Sequence, residues 1–141
     1  MEVRRVETDE ELEAALSVRR QVFVEEQGVP EHRELDGRDD TAVHFLALDG
    51  DRAVGAARLR EYDASRAKVE RVAVLTSERG TGLGRDLMDA VEAHAAEAGY
   101  DEVLLHAQLP VVGFYEALEY TVTSEPFEDA GISHREMRKS L

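Results

Sequence analysis

The sequence predicts an α/β (α+β) fold with a mixed, mostly antiparallel sheet and helices on both faces. The strand-like runs 41–48 and 53–61 are joined by the hairpin signal Asp49-Gly50-Asp51, and a further strand-like run, 68–75, follows. A glycine-rich turn, a helix and another strand come next, so one strand pair should be parallel. We expect the 141 residues to form one domain.

The N-terminal part predicts a strand, a capped helix and a long loop. Residues 2–7 read as a strand, and Thr8 with Glu11 forms a capping box at the start of a helix. Gly28 ends that helix, and the polar loop 28–42 is long enough to be functional. The apolar residues of the helix are Leu12, Ala15, Leu16, Val22 and Phe23.

The C-terminal part predicts two more helices and three strands. The helix Leu83–Ala98 has apolar residues at spacings of three and four and is followed by Gly99 as its C-cap. The remaining elements are a buried strand at 101–108, a short helix at 111–118, an edge strand at 119–123, a turn at 127–131 and a last strand at 132–138.

The stretch Arg79-Gly80-Thr81-Gly82-Leu83-Gly84 has the form of an anion site. It joins a strand to a helix N-terminus, where unpaired N–H groups and the helix dipole favour negative charge. Its glycines allow positive φ and let a phosphate approach the backbone without a Cβ in the way. Arg79 and Arg85 add cationic donors on either side.

The loop does not fit two common phosphate motifs. It has no P-loop lysine, and Gly-x-Gly-x-Gly is not the dinucleotide fingerprint Gly-x-Gly-x-x-Gly. It does fit Arg/Gln-x-x-Gly-x-Gly/Ala through Arg79, Gly82 and Gly84, and in this it resembles the acetyl-CoA pyrophosphate loop of the GNAT superfamily of N-acetyltransferases. A nucleotide-phosphate site and an ordinary glycine-rich turn stay open as alternatives.

Further motifs extend the resemblance over nearly the whole chain. The run 107–120, with Phe114-Tyr115-Glu116-Ala117-Leu118, is similar to the GNAT signature of a strand end and a short helix. The runs 19–30 and 127–134 are similar to the small ElaA-like branch of that superfamily. Two positions depart from the family pattern: Glu119 replaces a usual glycine, and Val111 replaces a frequent alanine.

The resemblance implies the GNAT acyl-CoA N-acyltransferase fold and acetyl-CoA as co-substrate. The implied reaction is direct transfer of the acetyl group to a primary amine in a ternary complex, with a small-molecule amine as the acceptor. A non-catalytic acyl-CoA-binding or sensor module on the same fold is the alternative, and a homodimer is compatible with the resemblance. The implied cofactor-binding residues are Val72, Val74, Arg79, Gly80, Thr81, Gly82, Leu83, Gly84 and Arg85.

An acetyltransferase needs an acid for the leaving thiolate and a base for the ammonium form of the acceptor. Tyr115 is the acid candidate, because a phenol holds its proton at neutral pH and can donate it. Glu70 is a base candidate because the strand period of two places it on the face of Val72 and Val74, where burial should raise its pKa.

Further base candidates are two histidines and one carboxylate. His44 and His134 are candidates because imidazoles titrate near neutrality, and Glu26 because it closes the first helix, where a GNAT acceptor site begins. We expect His106, on the strand beside the cofactor, to be a buried and satisfied histidine.

The chain is acidic, with 31 Asp and Glu against 17 Lys and Arg and a formal net charge of -14. A protein that binds nucleic-acid backbones should be basic, so we expect no nucleic-acid partner. Two explanations of the acidity stay open. One is steering of a cationic amine; the other is a solvated surface for a salt-rich cytoplasm, similar to that of halophilic archaeal proteins.

The remaining composition sets limits on location and chemistry. No apolar run reaches the roughly 18 residues of a membrane helix, and the N-terminus has no apolar signal region, so we expect a cytoplasmic protein without a membrane partner. The chain has no cysteine, which excludes disulfides and a thiolate nucleophile. No metal-binding spacing occurs, so we expect no metal.

Overall fold

The computed structural model describes residues 1–141, which form eight strands and four α-helices. No helix combines the length and the apolarity that crossing a bilayer requires. The strands are β1 (Glu2–Arg5), β2 (Val43–Asp49), β3 (Arg52–Glu61), β4 (Arg66–Val74), β5 (Glu102–Gln108), β6 (Thr121–Val122), β7 (Phe127–Asp129) and β8 (Ile132–Ser140). The helices are α1 (Asp9–Arg19), α2 (Glu31–Glu34), α3 (Leu83–Glu97) and α4 (Val112–Ala117).

The strands form one sheet in the order β1-β2-β3-β4-β5-β8-β6, with β7 paired to β8. Only β4 and β5 are parallel, and α3 is the crossover between them. All other neighbours are antiparallel. The predicted mixed, mostly antiparallel sheet is therefore confirmed, and β6 is an edge strand as expected.

The two long helices cover opposite faces of the sheet. A Cβ built on Gly55 would lie 3.0 Å from Leu87 of α3, so this glycine lets α3 pack closely on that face. Arg58 lies three residues further along β3 and therefore points to the other face. There its guanidinium shares Asp39 with Arg19 of α1. One hydrophobic core of 26 buried residues joins these layers.

Three local predictions need correction. The first helix is not α-helical to its end: Arg20–Glu26 form a π-helix, in which the N–H of Gln27 donates to the carbonyl of Val22, 3.1 Å away. The loop 28–42 contains the short helix α2 and a 3₁₀ turn. The predicted turn 127–131 is wrong in its first part, which forms β7; only Ala130 and Gly131, both with positive φ, form the turn.

Candidate active site

A cleft opens where the two parallel strands separate. β4 and β5 are paired from Arg66 opposite Glu102 to Val69 opposite Leu105, and both strands continue beyond that point without pairing to each other. The space between them has a volume of about 760 Å³ and extends to the glycine loop. Ligand sites in proteins commonly have volumes of roughly 300–1,000 Å³.

The end of β4 presents to this cleft backbone groups that do not pair with β5. The N–H of Leu75 donates to the carbonyl of Val54 on β3. Peptide groups alternate in direction along a strand, so those of Val74 and Val72 point away from β3 and toward the cleft. Both valines line the cleft, as the sequence predicted.

A β-bulge in β4 changes which side chains share a face. Ala56 lies opposite Ala73 and Arg58 opposite Glu70, so the one residue of β3 between them faces two residues of β4. Arg71 carries the bulge with a φ of 58°. The extra residue shifts the side-chain alternation. The prediction that Glu70 shares a face with Val72 and Val74 is therefore wrong.

The glycine loop has the geometry of an anion site. Gly80 and Gly82 have φ of 82° and 87°. Gly82 is the N-cap of α3 and has no side chain to satisfy the N–H groups of the first turn. Leu83 and Arg85 also line the cleft, and the side chain of Leu83 is buried in the core.

Two other loop residues serve the loop itself. Thr81 does not line the cleft; its hydroxyl donates to the carbonyl of Glu78 at 2.6 Å. A Cβ on Gly84 would lie 3.1 Å from the ring of Phe114, so glycine at this position allows α4 to pack against the start of α3. Gly84 therefore has a packing role in addition to its place in the motif.

Arg79 and Glu26 bind each other at the edge of the cleft. The guanidinium of Arg79 donates to both carboxylate oxygens of Glu26 at 2.7 and 2.9 Å, and its Nε donates to the carbonyl of Val74. The hydrogen bond from Arg79 lowers the pKa of Glu26, and a further bond from Thr76 adds to the effect. Glu26, a candidate base, is thus held as a paired carboxylate.

The π-helix is tied to both sides of the cleft. Glu26 contacts Arg79 beyond β4, and Gln108 at the end of β5 donates to the side chain of Gln27 at 2.9 Å. π-helical turns are frequent at functional sites, and this one lies between the two sides of the cleft. No local sequence pattern predicted the wider turn.

Glu70 is held by three cations. Its carboxylate accepts hydrogen bonds from Arg58 and Arg60, and Lys68 lies 3.3 Å away. Burial alone would raise the pKa of Glu70, but the Arg60 hydrogen bond and the charges of Arg58 and Lys68 outweigh it and lower the pKa to about 2. The expected rise in pKa is therefore wrong, although Glu70 does line the cleft.

His44 lies outside the cleft. Its ring is buried beneath the 3₁₀ turn, and Nε2 is 2.9 Å from the carbonyl oxygen of Asp39, so Nε2 carries the proton and donates it. Nδ1 is enclosed without a partner. This position does not support a role for His44 as the base.

Tyr115 lies at the floor of the cleft. Its side chain is 7 % exposed, and its ring packs edge-on against Phe114 and Tyr120, with centroids 4.9 and 5.8 Å apart. Its hydroxyl has no hydrogen-bond partner in the chain and is not one of the enclosed polar atoms, so it is open to the cleft. Burial raises the pKa of Tyr115, which keeps the phenol protonated.

His106 and His134 line another part of the cleft, and the rings of both pack against Phe127. The ring of His106 packs edge-on against Phe127 at 4.9 Å, and His134 stacks on Phe127 at 6.0 Å. Burial, followed by the charge of Lys68, lowers the pKa of His106. His106 is only half-buried and has no hydrogen bond within the chain, which corrects the expectation of a satisfied core histidine.

A buried ion-pair network below the cleft was missed at the sequence level. Arg19 and Arg58 are 1 % and 0 % exposed. Arg19 binds Glu34 and Asp39, while Arg58 binds Asp36 and Asp39 as well as Glu70. Long charged side chains are almost never fully buried unless paired, so sequence alone favours a surface position for each of them.

The network fixes the inner side of the loop 28–42 against the sheet. Arg71, at the bulge, lies 3.0 Å from Glu34 and 3.4 Å from Asp36. The hydrogen bonds and charge of Arg58 overcome burial and lower the pKa of Asp36. No group of three or more His, Asp or Glu side chains is placed to hold a metal ion.

Comparison with known proteins identifies relatives along the whole chain. Residues 4–141 match the sequence family described as "Acetyltransferase (GNAT) domain". The chain is 42 % identical over 132 residues to "Uncharacterized N-acetyltransferase YjcF" of Bacillus subtilis, covering 93 % of this chain and 94 % of that protein. It is 32 % identical over 136 residues to the protein ElaA of Escherichia coli, covering 93 % and 88 %.

Solved structures show the same fold. The crystal structure of Escherichia coli ElaA matches with a TM-score of 0.89 and 28 % identity over 99 % of both chains. A GNAT family acetyltransferase from Elizabethkingia anophelis, solved with acetyl-CoA bound, matches with a TM-score of 0.75 and 15 % identity over 99 % of this chain and 97 % of that chain. At this identity the second match concerns the fold alone.

Proposed function

The chain belongs to the GNAT acetyltransferase family, and from this premise we propose that it is an N-acetyltransferase that moves the acetyl group of acetyl-CoA to a primary amine by direct attack in a ternary complex. The acceptor is a small-molecule amine in this proposal. The proposal is supported most by one observation. The β4–β5 pairing ends at Val69 and Leu105, and the resulting cleft leads to the glycine loop at the start of α3.

We assign the diphosphate of acetyl-CoA to the glycine loop. The free N–H groups of the first α3 turn provide donors, and the helix dipole favours the negative charge. The pantetheine arm would lie along β4 and pair with the backbone of Val72 and Val74, as an added strand pairs with a sheet edge. A diphosphate bound at this loop would lie beside Arg79 and Arg85.

The thioester then lies near Tyr115. Attack by the amine on the carbonyl carbon forms the C–N bond, and collapse of the tetrahedral intermediate breaks the C–S bond. The leaving thiolate takes the phenolic proton of Tyr115, and burial raises the pKa of this phenol, so the proton is present when the C–S bond breaks. The open hydroxyl at the cleft floor supports this assignment.

Two measurements test the proposal. Calorimetric titration with acetyl-CoA, CoA and ATP should show binding of the first two and much weaker binding of ATP; preferential ATP binding would favour a nucleotide site instead. A panel of spermidine, phenethylamine and a lysine-containing peptide, assayed by release of free CoA thiol at low and high salt, should identify an acceptor. Tight acetyl-CoA binding without turnover of any amine would favour the sensor alternative.

Tyr115→Phe separates catalysis from binding. The variant keeps the ring and its packing against Phe114 and Tyr120 but has no proton to donate. We expect turnover to fall by about 10²–10⁴-fold, the usual range for loss of a general acid, while CoA affinity stays within about twofold of the original value. An unchanged rate with a good acceptor would remove Tyr115 from the mechanism.

A further inference from the structure

We propose that His134 is the general base that deprotonates the acceptor ammonium, with Nε2 as the accepting atom. This inference rests on the proposed function and names a residue that acts in it. It is carried by the hydrogen bond of the ring, by its position in the cleft and by the pairing of the other candidate bases.

The carboxylates of the cleft are occupied by cations. Glu26 is bound on both oxygens by Arg79, and Glu70 is bound by Arg58 and Arg60. Glu34 is 3 % exposed and accepts from Arg19. A carboxylate that already accepts charge-assisted hydrogen bonds loses them when it takes a proton, so Glu26 and Glu70, whose pKa values are lowered, are weak bases. Glu34 is enclosed together with the arginine that it binds.

The position of His134 fixes its tautomer. Nδ1 lies 2.7 Å from the carbonyl oxygen of Ile132. A carbonyl oxygen only accepts hydrogen bonds, so Nδ1 carries a proton. In the neutral ring Nε2 therefore holds the lone pair. Catalytic imidazoles are oriented in the same way: one ring nitrogen donates to a fixed acceptor, and the other nitrogen is free to accept a proton.

The free nitrogen of His134 faces the cleft. The residue is 9 % exposed and lines the cleft, and Nε2 has no hydrogen-bond partner within the chain. Nε2 is also not one of the enclosed unpaired polar atoms, so it is reached from the cleft. Stacking on Phe127, with an angle of 21° between the rings, holds the plane of the imidazole.

Charged groups of several elements surround the rings of His106, Phe127 and His134. Lys68 of β4, Asp129 of β7 and Glu136 of β8 act on His106, and Arg33 of α2 lies 3.8 Å from Asp129.

The proton balance of the proposed step is as follows. Nε2 of His134 takes one proton from the acceptor ammonium, directly or through one water, and leaves a neutral amine whose lone pair attacks the thioester carbon. As the amide forms, the amine nitrogen loses a second proton. The sulfur takes the phenolic proton of Tyr115, and the phenolate is reprotonated, through water, by the second proton of the amine nitrogen. His134 then releases its proton to solvent, so the reaction yields an amide, a thiol and one proton.

His134→Asn is the test variant. The asparagine amide can keep the donor to the Ile132 carbonyl, but it provides nothing in place of Nε2. With an acceptor that the original protein acetylates, we expect kcat/KM at neutral pH to fall by about 10²–10⁴-fold and CoA affinity to stay unchanged. The residual rate should rise tenfold per pH unit until the amine itself loses its proton, because free amine then replaces the missing base.

Two comparisons keep the test specific. Methoxyamine is already unprotonated at neutral pH, so its acetylation should lose much less in His134→Asn than that of an alkylamine. His32→Gln, on the exposed side of α2 and outside the cleft, should leave the rates unchanged. An alkylamine rate and pH profile equal to those of the original protein would overturn the proposal, and so would equal losses for both acceptors.

The tautomer provides a readout that does not depend on activity. Long-range ¹H–¹⁵N correlation spectra of protein labelled with ¹⁵N-histidine should show His134 protonated on Nδ1 and bare on Nε2 when the ring is neutral. A proton on Nε2 would overturn the proposal even if the variant failed to fold. If the original protein acetylates no amine, the proposed function itself fails.

Discussion

Replacing Glu70 with glutamine tests whether this carboxylate stabilises the fold around the cleft or acts as a base. In the folded protein Glu70 has a pKa of about 2, against an ordinary value of 4.5. Each pKa unit corresponds to about 1.4 kcal/mol, so this difference is worth roughly 3 kcal/mol of stability at neutral pH. Glu70→Gln keeps the shape of the side chain and removes the charge that Arg58, Arg60 and Lys68 share.

The sign of the pH dependence follows from the lowered pKa. The stabilisation is complete above the unfolded-state pKa of 4.5 and is lost as the pH falls through the folded-state pKa of about 2. The difference in the free energy of unfolding between the original protein and Glu70→Gln should therefore shrink from about 3 kcal/mol at neutral pH to about 1 kcal/mol at ~pH 3. Thermal melting should show a decrease in Tm of roughly 10 °C at neutral pH.

Urea unfolding followed by circular dichroism at several pH values measures this difference. Glu13→Gln is the matched control, because Glu13 is exposed on α1 and has no ion pair; it should change stability by less than about 0.5 kcal/mol at every pH. A stability difference between the original protein and Glu70→Gln that does not vary with pH would refute the linkage argument. The acidic limb of the pH–rate profile should survive in Glu70→Gln, and its disappearance would restore Glu70 as a base.

Two further substitutions test the glycine loop and a strained turn. Gly82→Val puts a β-branched residue at a φ of 87° and should cost about 1–2 kcal/mol of stability. Gly82→Val should also weaken CoA binding at least tenfold in calorimetry. The control is Gly99→Val, at the far end of α3, where φ is 95° and the space around a Cβ is open. It should lose similar stability but keep the CoA affinity of the original protein. Equal affinities in the two variants would argue against the loop as the diphosphate site. Glu119 has a φ of 75°, which glycine adopts without strain, so Glu119→Gly should raise the free energy of unfolding in urea by about 0.5–1 kcal/mol. The control Glu116→Gly, in α4, should lower it by about 1 kcal/mol. A loss of stability in Glu119→Gly would show that the turn is not strained.

The sequence predicted the features that are encoded locally. The helix N-cap at Thr8, the hairpin at Gly50 and the strand–loop–helix unit around Gly82 each depend on residues within a few positions of one another, and each is present. The family departure at Glu119 also had a structural meaning, because the usual glycine corresponds to a positive φ. Local signals of this kind are independent of the rest of the chain.

The features that shape the cleft depend on distant pairings. Nothing in the run around Arg71 marks a bulge, since arginine is not a residue that favours positive φ. That one extra residue moved Glu70 to the other face and invalidated the simplest argument for it as a base. The pairs of Arg19 with Glu34 and of Arg58 with Asp36 span 15 and 22 positions, and only the fold reveals that these charges are buried together.

The buried ion-pair network divides the loop 28–42 into two parts with different freedom to change. Glu34, Asp36 and Asp39 are committed to arginines of α1, β3 and β4, so exchanging any of them strands a guanidinium in the interior. Side chains that point outward, such as Arg33, are not part of the buried network. Substitutions that keep the fold intact should therefore concentrate on those outward positions, and a loop transplanted from a relative would need the buried arginines that bind it to be transferred as well.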